Sequence, residues 1–178
     1  MNLSSPLITK KDIKEVDRVL KSGWVSTASK TVALFEKKIS NFTKSKYCLA
    51  VNSGTSAIHL ALKVIGVDKN DEVIVPSITF VATVNPILYL KATPIIMDVD
   101  KNHNINIEDI KKFIETKTYF KNNNSYNKKS HKIIKAIVIV HMWGRACDFS
   151  ELTKICKKRN IKIIEDAAEA LGSYININ

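Results

Sequence analysis

Ile133-Ile134-Lys135-Ala136-Ile137-Val138-Ile139-Val140 is a run of β-branched and small side chains broken by one charge. A strand with one wet face alternates apolar and polar residues, and this run does not alternate. It therefore predicts a strand buried on both faces, as in a parallel sheet with helices packed on each side. Moving outward, Tyr47 to Val51, Val73 to Val75, Pro94 to Met97 and Ile161 to Ile164 read as further short strands. Between them lie stretches of helical period. Lys10 to Ser22 puts Ile13, Val16, Val19 and Leu20 on one stripe, with Thr9 and Asp12 spaced as a capping box and Gly23 as the stop. Thr31 to Phe42, Thr55 to Ile65, a run ending near Leu90, Ile107 to Ile114 behind an Asn106 cap, and a helix from Asp148 with Glu151 at the box position complete the alternation. The fold class is α/β, a mostly parallel sheet with helices on both faces.

In such sheets ligands bind beyond the carboxyl ends of the strands. The informative residues are then those just after each apolar run: Asn52 to Ser56, Pro76 to Phe80, Asp98 to Asp100, His141 to Gly144 and Glu165 to Glu169. One segment has no period at all. Thr116 to Lys132 is biased to Asn and Lys, lacks Gly and Pro, and reads as a solvated insertion.

Composition narrows the functional classes. The 178 residues are 45% hydrophobic and 25% charged, which excludes a disordered tail, a collagen-like fibre and a disulfide scaffold. The net charge of +11 is carried by lysine, with arginine only at positions 18, 145 and 159. An arginine-poor basic chain is weak support for specific nucleic-acid recognition. The three cysteines form no CxxC pattern and suggest reduced thiols. Met1 to Thr9 lacks the basic and apolar regions of a signal peptide, and no apolar run is long enough to span a bilayer. The expectation is a soluble cytoplasmic protein that does not act at a membrane.

Four constellations carry possible chemistry. Asn52-Ser53-Gly54-Thr55-Ser56-Ala57 joins an apolar run to a helix start, where backbone amides and hydroxyls can cradle an anion. By itself this is equally an ordinary N-capped turn, which is the commoner case. Glu165, Asp166 and Glu169 cluster at the end of an apolar strand, where a carboxylate could hold the proton on a heteroaromatic nitrogen or merely cap the next turn. No His or Cys has metal-ligand spacing to these acids, so no metal is expected. Phe80 sits on a loop where its ring could stack on a flat molecule, although such a residue is more often core. His141 could contact a ligand or be a satisfied buried imidazole, the second being slightly favoured.

Six blocks in order, GWVST from Gly23, NSGTSAIHLAL from Asn52, DEVIVPSITFVAT from Asp71, ATPIIMDVD from Ala92, HMWGRACDF from His141 and IIEDAAEALGS from Ile163, resemble the DegT/DnrJ/EryC1/StrS family of sugar aminotransferases. The resemblance implies the large domain of a type I, aspartate aminotransferase-like fold and pyridoxal 5′-phosphate as cofactor. Residue by residue, Gly54, Thr55 and Ser56 match the phosphate-binding turn. Phe80 matches the ring that stacks on the pyridine, and Asp166 the partner of its nitrogen. Glu169 stands where many members have Gln or His near the phenolic oxygen. Ala28 and Ser29 stand where members often have Gly. The closest likeness is to enzymes acting on UDP-linked 4-keto-6-deoxy-N-acetylhexosamines, with glutamate the typical amino donor and a homodimer the full-length assembly.

The family's lysine, which forms the Schiff base with the cofactor, follows the last of these blocks, and no lysine of this chain stands in that motif. Residues 1–178 are thus expected to be the N-terminal portion of the cofactor-binding domain, without the small C-terminal domain and inactive alone. Two other classes remain in view. One is a non-catalytic regulator of the same fold. The other is a single-stranded nucleic-acid module built on the seven basic residues between Thr116 and Cys147, interleaved with Tyr119, Phe120 and Tyr126. A dinucleotide-binding enzyme is disfavoured because no GxGxxG follows a strand.

Overall fold

In the computed structural model, which describes residues 5–175, the chain divides into a first unit ending at Val51 and a second beginning at Asn52. The first unit holds two helices, α1 (Lys10–Lys21) and α2 (Lys30–Thr43). The capping box expected at α1 forms: Thr9 Oγ1 accepts from the Asp12 amide at 3.3 Å, and Asp12 Oδ2 accepts from the Thr9 amide at 2.7 Å. Those Thr9 bonds hold the Asp12 carboxyl below its ordinary range. Gly23, at φ +71°, ends the turn after α1. Ser29 is buried and caps α2, accepting from the Thr31 amide at 3.1 Å.

Tyr47 to Val51 departs from expectation, since no strand forms there. Tyr47 is 80% and Leu49 67% exposed, and the amide of Ala50 is bonded to the Glu36 side chain instead of to a neighbouring strand. Apolar β-branched sequence makes a strand possible, but a ladder partner makes it a strand. Among the described residues none pairs with this stretch.

The second unit runs α3 (Gly54–Val64), β1 (Asp71–Pro76), α4 (Val81–Tyr89), β2 (Thr93–Met97), α5 (Ile107–Lys117), β3 (Thr118–Lys121), β4 (Asn124–Asn127), β5 (Ile133–Val140), α6 (Ser150–Arg159) and β6 (Lys162–Asp166), with a 3₁₀ turn at Met142–Gly144. β1 pairs in parallel with β2 and β5, and β5 in parallel with β6. As the non-alternating apolar run predicts, β5 is central and covered on both sides. Val73, Val75, Ala136 and Val138 pack with Ile58, Leu62 and Ile87 of α3 and α4. Ile74, Ile137 and Ile139 pack with Ile110, Ile114, Leu152 and Cys156 of α5 and α6.

A bulge sets which face each β5 residue takes. Glu72 lies opposite Ile134 and Val73 opposite Ala136, leaving Lys135 unpaired. Ile134 and Ala136, two apart, consequently fall in opposite cores.

The segment Thr116 to Lys132, expected as aperiodic insertion, contains a β-hairpin. β3 and β4 pair antiparallel with Tyr119 opposite Tyr126, and Tyr126 opposite Ile133 attaches the hairpin to β5. Its two-residue turn is Asn122-Asn123, at φ 49° and 58°. Asparagine tolerates positive φ and therefore serves where glycine usually would. Tyr119 and Tyr126 stack at 5.3 Å, so each ring gives one of its faces to the other. Ser125 is fully buried and donates to the Arg159 carbonyl at 2.8 Å, and Asn127 Nδ2 donates to Glu72 Oε2 at 2.8 Å.

The start of α6 also differs. Asp148 Oδ1 accepts from the Ser150 amide at 2.9 Å, and the helix begins at Ser150. Glu151, expected to complete a capping box, is drawn to Lys111 Nζ at 2.7 Å, which lowers its carboxyl from the ordinary value.

Candidate functional site

Parallel strands release their chains at the same end, so the turns after β1, β5 and β6 face one another. There they line a cleft of about 580 Å³ together with the start of α3. Its walls come from Ser53, Gly54 and Thr55, from Thr79 and Phe80, from His141 to Trp143, and from Asp166 and Glu169.

The α3 end is an N-capped turn that leaves two backbone amides without an intrahelical acceptor. Ser53 caps the helix, its Oγ accepting from the Ser56 amide at 3.2 Å and lying 3.1 Å from Ser56 Oγ. That uses up the Ser56 amide, and Ser56 is not among the lining residues. The amides of Gly54 and Thr55, the first two positions of α3, have no intrahelical acceptor and stand at the cleft. Gly54 leaves open space, since nothing lies within 4 Å of where a Cβ would sit.

Phe80 is the N-cap residue of α4 and is 76% exposed, so it is not core. Asp166 ends β6. Its Oδ1 accepts from the Ala168 amide at 3.3 Å, the capping that acidic strand ends commonly show. Its Oδ2 accepts from Thr83 Oγ1 at 2.8 Å.

Glu169 lies in the turn after β6, where its Oε2 accepts from the backbone amide of Trp143 at 2.7 Å. Trp143 has φ 51° and ψ 34°, a left-handed conformation that costs a non-glycine residue about 1–2 kcal/mol. Its ring is 59% exposed and meets His103 edge-on at 4.9 Å.

His141 is buried, its Nδ1 accepting from the Cys147 amide at 3.1 Å and its Nε2 lying 3.2 Å from Glu165 Oε2. The amide donor makes Nδ1 the acceptor and puts the proton on Nε2, toward the carboxylate. Both nitrogens are satisfied, which matches the structural reading favoured from sequence. Of the residues named from sequence, the fold thus brings Gly54, Thr55, Phe80, Asp166 and Glu169 to one cleft and leaves Ser56 behind the cap. Ser53 and Thr79, inside the strand-end windows marked from sequence but given no individual role there, also line the cleft, and Thr83, outside those windows, stands behind it. The hydroxyl spacing in Thr79-Phe80-Val81-Ala82-Thr83, one helical turn, was the available signal.

Comparison with known proteins identifies the frame. A model of the DegT/DnrJ/EryC1/StrS aminotransferase family matches residues 6–176. The chain belongs to this family. It is 37% identical over 169 residues to the GDP-perosamine synthase of Escherichia coli O157:H7, covering 94% of this chain and 42% of that protein. It superposes on Helicobacter pylori PseC, an aminotransferase of pseudoaminic acid biosynthesis, with a TM-score of 0.82 and 30% identity, over 98% of this chain and 43% of that one. A Streptococcus pneumoniae chain, Spr1654, described in a PLP-form, gives a TM-score of 0.80 at 30% identity, covering 97% of this chain and 44% of its own. The chain thus spans about two fifths of the length of the relatives it matches. Among the described residues no helix is long and apolar enough to cross a membrane, and no group of His, Cys, Asp and Glu could hold a metal ion.

Proposed function

We propose that this chain forms the N-terminal portion of the cofactor-binding domain of a pyridoxal 5′-phosphate-dependent aminotransferase that aminates a nucleotide-linked keto sugar. The observation that carries the reading is one cleft lined both by the free amides of Gly54 and Thr55 and by the carboxylate of Asp166. The donor set suits the two ends of one flat, phosphorylated, nitrogen-containing ring. When bound, pyridoxal phosphate supplies an electron sink at the carbon that gains or loses nitrogen.

The chain's own residues bind and orient. Gly54 and Thr55 would donate to the phosphate from the positive end of α3. Phe80 would offer its ring to one face of the pyridine, and the free lone pairs of Asp166 would receive the ring N–H. Glu169, matched by resemblance to the position near the phenolic oxygen, already holds the Trp143 amide with Oε2. Its other oxygen, Oε1, would meet the phenolic oxygen through a single proton shared between them, since two unprotonated oxygens repel. None of these groups moves a proton to or from carbon. In the family that is the task of a lysine beyond the last matched block.

The rest of the reading follows family resemblance: glutamate as amino donor, a UDP-linked 4-keto-6-deoxy-N-acetylhexosamine as acceptor, a homodimer, and a cytoplasmic setting for surface-glycan synthesis. The test is to titrate the purified chain with pyridoxamine 5′-phosphate, following ligand fluorescence. Saturable binding, weakened at least tenfold in Asp166→Asn and in the presence of excess phosphate, is expected. A folded chain that does not bind would overturn the assignment. With glutamate and a UDP-4-keto sugar, the 178 residues alone are expected to give no amine transfer. Turnover would mean that a lysine of this chain does the work.

A further inference from the structure

Asp166 does not stand alone at the end of β6. The hydroxyl of Thr83, on α4 and 0% exposed, donates to its Oδ2 at 2.8 Å. Thr83 Oγ1 also lies 2.7 Å from Thr79 Oγ1. A hydroxyl has one proton, and that of Thr83 is committed to the carboxylate. The second contact must therefore be received from Thr79. The chain of donation is directional: Thr79 O–H to Thr83 Oγ1, and Thr83 O–H to Asp166 Oδ2. Each bond polarises the next.

Two features show that this arrangement is more than incidental satisfaction. Thr83 stands in the first turn of α4, where a hydroxyl commonly bonds to a backbone group close in sequence. Thr83 instead aims across to another element, 83 residues away in sequence. A fully buried hydroxyl is also costly unless bonded, whereas valine fills the same shape without that cost. What the hydroxyl adds is a fixed donor behind a carboxylate that faces the cleft. The other oxygen of Asp166 has only the longer 3.3 Å bond from Ala168.

We propose that Thr83, oriented by Thr79, is a positioning residue that locks the Asp166 carboxylate so that its remaining lone pairs face the ring nitrogen of the bound cofactor. This rests on the assignment of the cleft as a pyridoxal phosphate site. Its consequence for the reaction is indirect. With Asp166 held from behind, the carboxylate meets the ring N–H without first giving up a competing rotamer.

The test uses the 178-residue chain with Thr83→Val, Thr83→Ser and Thr79→Val. One readout needs no cofactor: the carboxyl ¹³C resonance of Asp166 at fixed neutral pH. The other is the affinity for pyridoxamine 5′-phosphate, with the ¹⁵N shift of its pyridine nitrogen once bound. Thr83→Val is expected to move the Asp166 resonance, weaken binding roughly tenfold and shift the bound nitrogen toward its unprotonated value. Thr83→Ser, which keeps the hydroxyl, restores all three, a rescue that a role in packing alone would not produce. Should Thr83→Val not fold, Thr79→Val carries the test, with a smaller change in the same direction. An Asp166 resonance and an affinity that stay at wild-type values in the folded valine variants overturn the proposal and leave the cofactor site standing. If wild type binds no pyridoxamine phosphate, the cofactor assignment falls and with it the role in orienting a ring. The Asp166 resonance then still reports whether the hydroxyl chain exists.

Discussion

The amide of Trp143 is donated to Glu169 Oε2 at 2.7 Å, tying the turn after β5 to the turn after β6 across 26 residues of sequence. It is this bond that offsets the left-handed backbone of Trp143 and keeps its exposed ring at the edge of the cleft. Glu169 consequently has two tasks to reconcile, a backbone clamp through one oxygen and the proposed cofactor contact through the other.

The neighbouring Gly144 is the sensitive point of that clamp. It has φ +76°, and a Cβ there would lie 3.0 Å from the Glu169 carbonyl oxygen. Gly144→Ala is expected to cost about 1–2 kcal/mol from the left-handed conformation alone, read as a lower urea midpoint. It should also loosen pyridoxamine phosphate binding by shifting the turn that carries Glu169. A variant as stable as wild type would show that this turn relaxes freely.

Glu72 is 4% exposed, and the amide of Asn127 supplies a donor to its carboxylate at 2.8 Å. Asn127→Ala removes that donor and leaves a buried acceptor short, which should destabilise the chain by about 1.5–3 kcal/mol. Asn127→Asp, placing a second negative charge beside the first, should be worse. Denaturant unfolding of both variants at neutral pH measures the order.

The buried thiols make stability fall in alkali. Burial pushes Cys156 up to about 12 and, with the charges of Asp100 and Asp148 adding, Cys147 up to about 11, from an ordinary value of 9.0. Because the folded values are raised, the unfolded chain loses these protons first. Stability is whole below pH 9 and declines as pH rises from there through 11 to 12. Replacing both with alanine should flatten that alkaline slope. Below pH 9 a thiol reagent should label half-buried Cys48 well before either of them.

Leu152 on α6 is 0% exposed and fills the core between α5, α6 and the sheet. Leu152→Ala should cost about 2–5 kcal/mol through lost burial and the cavity left behind, measured by the same unfolding curves. A cost near zero would mean that this core collapses around the gap.

Much of the fold was legible because burial writes itself into local pattern. The composition of β5 and the period of its neighbouring helices record their burial, and the Asn106 and Thr9 caps and the Gly23 stop rest on interactions within a few residues, which a linear reading can see. The errors share one cause. Tyr47 to Val51 has strand-like composition but lacks a pairing partner, and Asn122-Asn123 makes a hairpin turn without the glycine that usually signals one. Glu151 had the spacing for a cap, yet an interhelical lysine won it.

The site divides along the same line. Sequence alone determined that small, hydroxyl-bearing and acidic residues follow the apolar runs, because a parallel sheet with covered faces leaves only its strand ends for chemistry. Only the tertiary structure decided that Ser53 takes the Ser56 amide, that Glu169 clamps Trp143, and that Thr83 stands behind Asp166. Hydroxyls and carboxylates are satisfied by whichever partner the packing of distant elements brings within 3 Å, and no local pattern encodes that distance.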